Sequence, residues 1–114
     1  MSYHEILADF KTRHAGITAV IFCDSEGETI DYVSDVDSYH TQLLGAYHSE
    51  MMARLRDIAT QAGELRQVDL RTGSAVMSLV PVYKEFYIVM LAKRGAVVPA
   101  TDLRRVVLAL ESTF

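Results

Sequence analysis

The chain has 114 residues, half of them apolar and 23% charged, and 15 acidic against 11 basic residues leave a formal net charge of −4. That length suits one domain, 1–114, with room for a genuine core. The acidic balance excludes an electrostatic grip on nucleic acid or anionic lipid. No run approaches the roughly 18 apolar residues that a membrane span needs, and the start MSYHEILADFKTRH lacks an apolar leader core. One cysteine forms no internal disulfide, so a reducing cytoplasm is the expected setting, without membrane insertion.

The first segment places Ile6, Leu7, Phe10 and His14 at helical spacing, and Gly16 is a plausible C-terminal cap. ITAVIFC follows, apolar on both pleat faces, with Ile17, Ala19, Ile21 and Cys23 on one and Val20 and Phe22 on the other. Such a strand needs cover above and below. In the turn DSEG, Asp24 can bond the backbone and Gly27 sits where a positive φ is common. The more polar ETIDYVS completes a hairpin.

From Asp37 the period becomes that of a long helix over about 38–62, started by Asp37 or Ser38 and ended by Gly63. Leu43, Leu44, Tyr47, Met51, Met52, Leu55, Ile58 and Ala59 fill an arc of about 180°, wider than the ~100° stripe of a one-sided helix. The remainder is a meander: a polar strand in ELRQVDLR, a Thr72–Gly73 turn, SAVMSLVPV, a link near Tyr83 to Glu85, and FYIVMLA, again apolar on both faces. Thr101 or Asp102 can cap a last helix that carries Leu103, Val106, Val107 and Leu110 on one side.

Short turns make strands one and two, three and four, and four and five neighbours. Strands one and five belong in the centre, and strands two and three tolerate edges. The order 2-1-5-4-3 satisfies all of this. The expected fold class is α+β: an α/β/α three-layer arrangement of a five-stranded, mainly antiparallel sheet, with the long helix on one face and the two terminal helices on the other.

Chemistry is sparse. Neighbours along a strand point to opposite faces, so Asp24 cannot activate Cys23, and no histidine has a spacing that guarantees contact with the thiol. Cys23 reads as a buried strand-end residue. His40 and His48 are two turns apart and about 80° around the helix, poor geometry for one metal. Gly27, Gly63, Gly73 and Gly95 are isolated, so no phosphate cradle is visible. No catalytic residue, metal ligand or cofactor site is expected. The basic couples Lys93–Arg94 and Arg104–Arg105 are solvated or touch an acidic partner.

The outer strip of the long helix is more informative. Gln42, Gly45, Ala46, Ser49, Ala53 and Thr60 are small or uncharged, and small side chains let two helix backbones approach closely. Glu50, Arg54, Arg56 and Asp57 flank the strip as a polar rim able to pair across a two-fold axis. An unprotected third strand invites pairing, which adds Leu65, Gln67 and Asp69 to the expected interface. Two copies joined strand three to strand three would form one continuous sheet.

The order helix, hairpin, long helix, three-stranded meander and helix resembles the roadblock family, also called the dynein light-chain roadblock family. ITAVIFCDSEGETIDYVS looks like its strand, Asp-x-x-Gly and strand hairpin, QLLGAYHSEMMARLRDIATQAG like its long helix and FYIVMLA like its central fifth strand. The resemblance implies a non-enzymatic homodimer, paired through the long helix and third strand, that regulates a Ras-like small GTPase. Arg66, Arg71, Lys93 and Arg94 are candidate GTPase contacts, and Arg54, Arg56, Arg66 and Arg71 are candidates for an arginine given in trans. The alternatives are a structural adaptor in a motor or signalling complex and, last, a small-molecule sensor, for which Thr18 and Ser78 are almost the only polar groups on the inner strands.

Overall fold

A computed structural model describes residues 2–37, 51, 54, 55, 57–59 and 61–114. The N-terminal helix spans Tyr3–Arg13, and Ser2 caps it, its Oγ accepting the Glu5 N–H at 3.2 Å. Five strands follow: β1 (Ile17–Cys23), β2 (Thr29–Ser34), β3 (Val68–Arg71), β4 (Ala75–Pro81) and β5 (Tyr87–Lys93). A 3-10 turn at Tyr83–Glu85 joins the last two, and the C-terminal helix spans Ala100–Glu111. The sheet order is β2-β1-β5-β4-β3, and every adjacent pair is antiparallel. The expected order and edges are therefore those observed. Residues 51, 54, 55, 57–59, 61 and 62 are helical, and Gly63 follows them with φ 120°. The expected start of that helix at Asp37 or Ser38 and its first turns fall largely outside the described residues.

Two apolar layers sandwich the sheet. On one face Ile6, Leu7 and Phe10 of the first helix and Leu103, Val106, Val107 and Leu110 of the last meet Val20, Phe22, Val80, Ile88 and Met90. On the other face Ile21, Cys23, Leu79, Tyr87 and Val89 form a smaller cluster, against which Met51, Leu65, Val68 and Leu70 pack. β1 and β5 are buried nearly throughout, as a strand covered on both faces must be.

Three local expectations are corrected. Ile17 lies with Val20 and Phe22, not with Ile21 and Cys23, because the β1–β5 register slips between Ile17 and Ala19 and the extra residue reverses the alternation. Gly16 does not cap the first helix. The chain leaves that helix extended at His14 (φ −128°), and a Cβ on Gly16 would lie 2.4 Å from that of Ala96, so Gly16 serves a close approach of two loops. Neither Thr101 nor Asp102 caps the last helix. It begins a turn earlier, with Pro99 at the cap position and its carbonyl accepting from Asp102 and Leu103 at 3.0 and 3.1 Å.

The hairpin turn matches its sequence. Asp24 Oδ1 accepts the N–H groups of Glu26 and Glu28 at 2.9 and 3.0 Å, and Gly27 has φ 82°. These bonds satisfy the backbone where β1 stops, and only glycine adopts that φ freely.

Candidate interaction surface

The surface is built from a strand edge and a helix. β3 pairs with β4 alone, so its other side has no strand partner among the described residues. Val68 and Leu70 turn inward onto the smaller cluster, whereas Asp69 and Arg71 are exposed. The Asp69 carboxylate accepts from Ser78 Oγ at 2.7 Å and Gln67 Nε2 at 2.9 Å, which places it on the terminal-helix face of the strand. Leu65 instead packs toward the opposite face with Val68 and Leu70. The three edge-strand residues expected to form one interface group thus divide between two faces.

On the helix, Met51 and Leu55 are half-buried, while Arg54 and Asp57 are exposed. Ile58 is 67% exposed, a large apolar side chain that the described part of the chain leaves uncovered. The rest of the expected strip and rim (Gln42, Gly45, Ala46, Ser49, Glu50, Ala53, Arg56 and Thr60) lies outside the described residues.

The four candidate partner-contact cations do not form one patch. Arg71, Lys93 and Arg94 lie at one end of the sheet, where Ala75 is paired with Lys93 and Arg94 Nη1 donates to the Gly73 carbonyl at 3.4 Å. Arg66 lies at the other end. There it shares with Arg104, Glu64, Glu111 and the exposed Tyr83 a groove of about 720 Å³ between residues 64–67 and the C-terminal helix. A second groove of about 480 Å³ adjoins it beneath Asp57, Leu65 and Glu85. The two inner-strand polar groups relevant to a sensor are spent inside the chain. Thr18 Oγ1 donates to the Leu91 carbonyl at 3.1 Å, and Ser78 donates to Asp69.

Cys23 is fully buried opposite Tyr87, and burial, with the nearby Asp24 charge, pushes its thiol up to about 12 against a smaller opposing effect of a Tyr87 hydrogen bond. A thiol so placed is almost never a thiolate near neutrality, which closes the nucleophilic reading. Among the described residues, no group of three or more His, Cys, Asp or Glu side chains is arranged to hold a metal. No described helix is long and apolar enough to cross a membrane.

One polar cluster was missed in the sequence. Asp102, in the first turn of the C-terminal helix, accepts from Arg13 Nη1 with one carboxylate oxygen and contacts His14 Nε2 with the other. The Arg13 hydrogen bond, then that of His14, holds the Asp102 carboxyl below the usual carboxylate range. The cluster fastens the end of one terminal helix to the start of the other. Its signal was present: His14 continues the stripe of Ile6, Leu7 and Phe10, and Asp102 stands one turn before Val106, so two opposite polar groups occupy inward positions.

No family profile and no curated protein matches the sequence. Solved structures do match. Myxococcus xanthus MglB superposes with a TM-score of 0.87 at 13% identity, over 98% of this chain and 94% of that one. A Roadblock/LC7 domain from Streptomyces avermitilis gives 0.79 at 17% identity, over 96% and 91%. The gliding protein MglB of Thermus thermophilus gives 0.81 at 14% identity, over 95% and 84%. With its 2-1-5-4-3 antiparallel sheet, the helices packed on it and these superpositions, the chain has the fold of the Roadblock/LC7 domain.

Proposed function

We propose that two copies of this chain pair through β3 and the helix bearing Ile58, and that the pair binds a Ras-like small GTPase, altering its hydrolysis or docking it. The observation that carries this reading is a strand edge without a ladder partner among the described residues in the same chain as an uncovered Ile58. An open edge offers a template for strand pairing and Ile58 offers apolar surface beside it, and a second copy covers both at once. The likeness to MglB, a gliding protein in Thermus thermophilus, and to MglC of Myxococcus xanthus supports a role among proteins of that kind, and a solved MglB described as tetrameric supports self-assembly.

A regulator of this kind needs no catalytic group of its own. It accelerates hydrolysis by binding most tightly the GTPase conformation whose own catalytic groups are in place. Donation of an arginine in trans is the stronger form, and Arg54, Arg66 and Arg71, all exposed, are the described candidates for it. The test mixes the purified chain with Ras-like GTPases of its source organism and follows phosphate release and co-elution on a sizing column. Faster release with co-elution supports regulation, and co-elution alone supports a docking subunit. No complex with any of them overturns the proposal.

A further inference from the structure

Phe114 lies three positions past the end of the C-terminal helix, and residues 112–114 are all exposed. Its backbone N–H reaches the Glu111 carbonyl only at 3.3 Å, the weak end of the hydrogen-bond range. Its side chain nevertheless stands among four other rings while Phe114 remains 46% exposed. The centroid separations are 5.0 Å to Phe86, 6.2 Å to Tyr83, and 6.3 Å to both Tyr3 and Phe22, the last ring nearly parallel at 25°. All four fall within the roughly 4.5–7 Å over which aromatic pairs attract.

The fold holds those four rings without help from Phe114. Phe22 is fully buried in β1, and Tyr3, which begins the first helix, meets it edge-on at 5.1 Å. Tyr83 and Phe86 flank the 3-10 turn, and the Val82 N–H closes that loop by donating to the Phe86 carbonyl at 2.8 Å. Glu85 has φ 70°, the only positive φ of a non-glycine residue among those described, and directly precedes Phe86, whose ring meets Phe22 at 5.7 Å. Such backbone strain persists only where its surroundings fix it. A firmly built cradle therefore holds a loosely anchored ring. Tyr83, 58% exposed, also lines the groove of about 720 Å³ beside the C-terminal helix.

We propose that Tyr3, Phe22, Tyr83 and Phe86 form a docking site for a phenylalanine or tyrosine side chain of a partner protein, and that Phe114 fills it from within the chain until the partner displaces it. Phe114 itself shows the chemistry that fits. A planar ring meets the faces and edges of four others, whereas an aliphatic side chain touches the same walls without ring–ring attraction. The groove gives the partner's backbone a path away from the anchor. Its rim carries Arg66 and Arg104 against Glu64 and Glu111, a balance that favours no strongly charged segment. Because Phe114 is tethered, it competes at high effective concentration and lowers the partner's apparent affinity by the fraction of time it occupies the cradle. The site does not depend on pairing of the chain or on a GTPase partner.

The test titrates N-acetyl-phenylalaninamide, a single blocked ring, into isotope-labelled protein and follows ring signals by NMR. In F114A it shifts Tyr3, Tyr83 and Phe86 with a dissociation constant of roughly a millimolar. The unmodified chain binds it roughly five- to tenfold more weakly, since about half of a phenylalanine side chain must first be exposed. N-acetyl-leucinamide binds F114A severalfold more weakly still, and equal binding by the two amides refutes an aromatic site. No shift of these rings in folded F114A overturns the proposal, and so does equal affinity in both chains, which puts the ligand elsewhere. If the rings of labelled F114A shift on adding the unmodified chain but not the amide, the cradle takes Phe114 of a second copy and the separate partner is excluded. Should F114A not fold, F114L decides, because it keeps apolar cover without the ring: it binds the amide more tightly than the unmodified chain does, and equal affinity overturns the proposal.

Discussion

Substituting Gly16 by alanine puts a methyl group 2.4 Å from the Ala96 Cβ, far inside contact distance. The loops cannot simply part. The Gly16 carbonyl accepts from the Lys93 N–H at 2.8 Å and the Ala96 N–H donates to the Lys93 carbonyl at 3.1 Å, so both are pinned to one residue at the end of β5. Separating the methyls by about 1 Å strains those bonds, and overpacking of this kind costs about 1–3 kcal/mol. Alanine restricts the unfolded chain and returns about 0.4–1 kcal/mol. The expected net loss is about 1–2 kcal/mol, which for a domain of this size lowers Tm by roughly 3–12 °C. Ala96→Gly in the same chain removes the second methyl, so G16A/A96G recovers most of the loss and the double-mutant cycle shows a coupling above ~0.5 kcal/mol. Urea and thermal unfolding of the four proteins measure it. Strict additivity, or a G16A chain as stable as the parent, refutes the reasoning.

Other expectations follow from the same structure. With its pKa near 12 instead of 9.0, Cys23 holds about a thousandfold less thiolate at any pH well below both values, so a thiol reagent labels the native protein at least that much more slowly than the unfolded chain; rapid native labelling contradicts its burial. Asp102 has a lowered pKa in the fold, so its contribution is present above its unfolded value and is lost as pH falls through the folded one. Urea midpoints measured against pH therefore show a steeper acid decline in the parent than in D102N, and superimposable acid limbs exclude the role given to the Arg13–Asp102–His14 cluster. Gly27→Ala forces an L-residue to φ 82° and lowers stability by about 1–2 kcal/mol, with unfolding midpoints as the readout.

The sheet order was legible because Val20, Phe22, Ile21 and Cys23 put apolar groups on both faces of one strand, and FYIVMLA does the same for another. Strands so patterned lie at the centre, and the short turns settle the rest. The slip at Thr18 was not legible, because a bulge is defined by the register of the partner strand. Gly16 was misread for a related reason: a glycine ending a helical stretch resembles a cap, and the approach of Ala96, 80 positions away, has no local trace. Of the proposed interface, the edge position of β3 was readable from its polarity, whereas the division of Leu65 from Gln67 and Asp69 depends on strand β3 beginning at Val68.

The account depends most on a second copy covering β3 and Ile58. Sedimentation equilibrium of the unmodified chain, diluted from high to low micromolar concentration, tests this directly. The predicted mass is twice 12.7 kDa, persisting on dilution. A mass of 12.7 kDa at every concentration contradicts it.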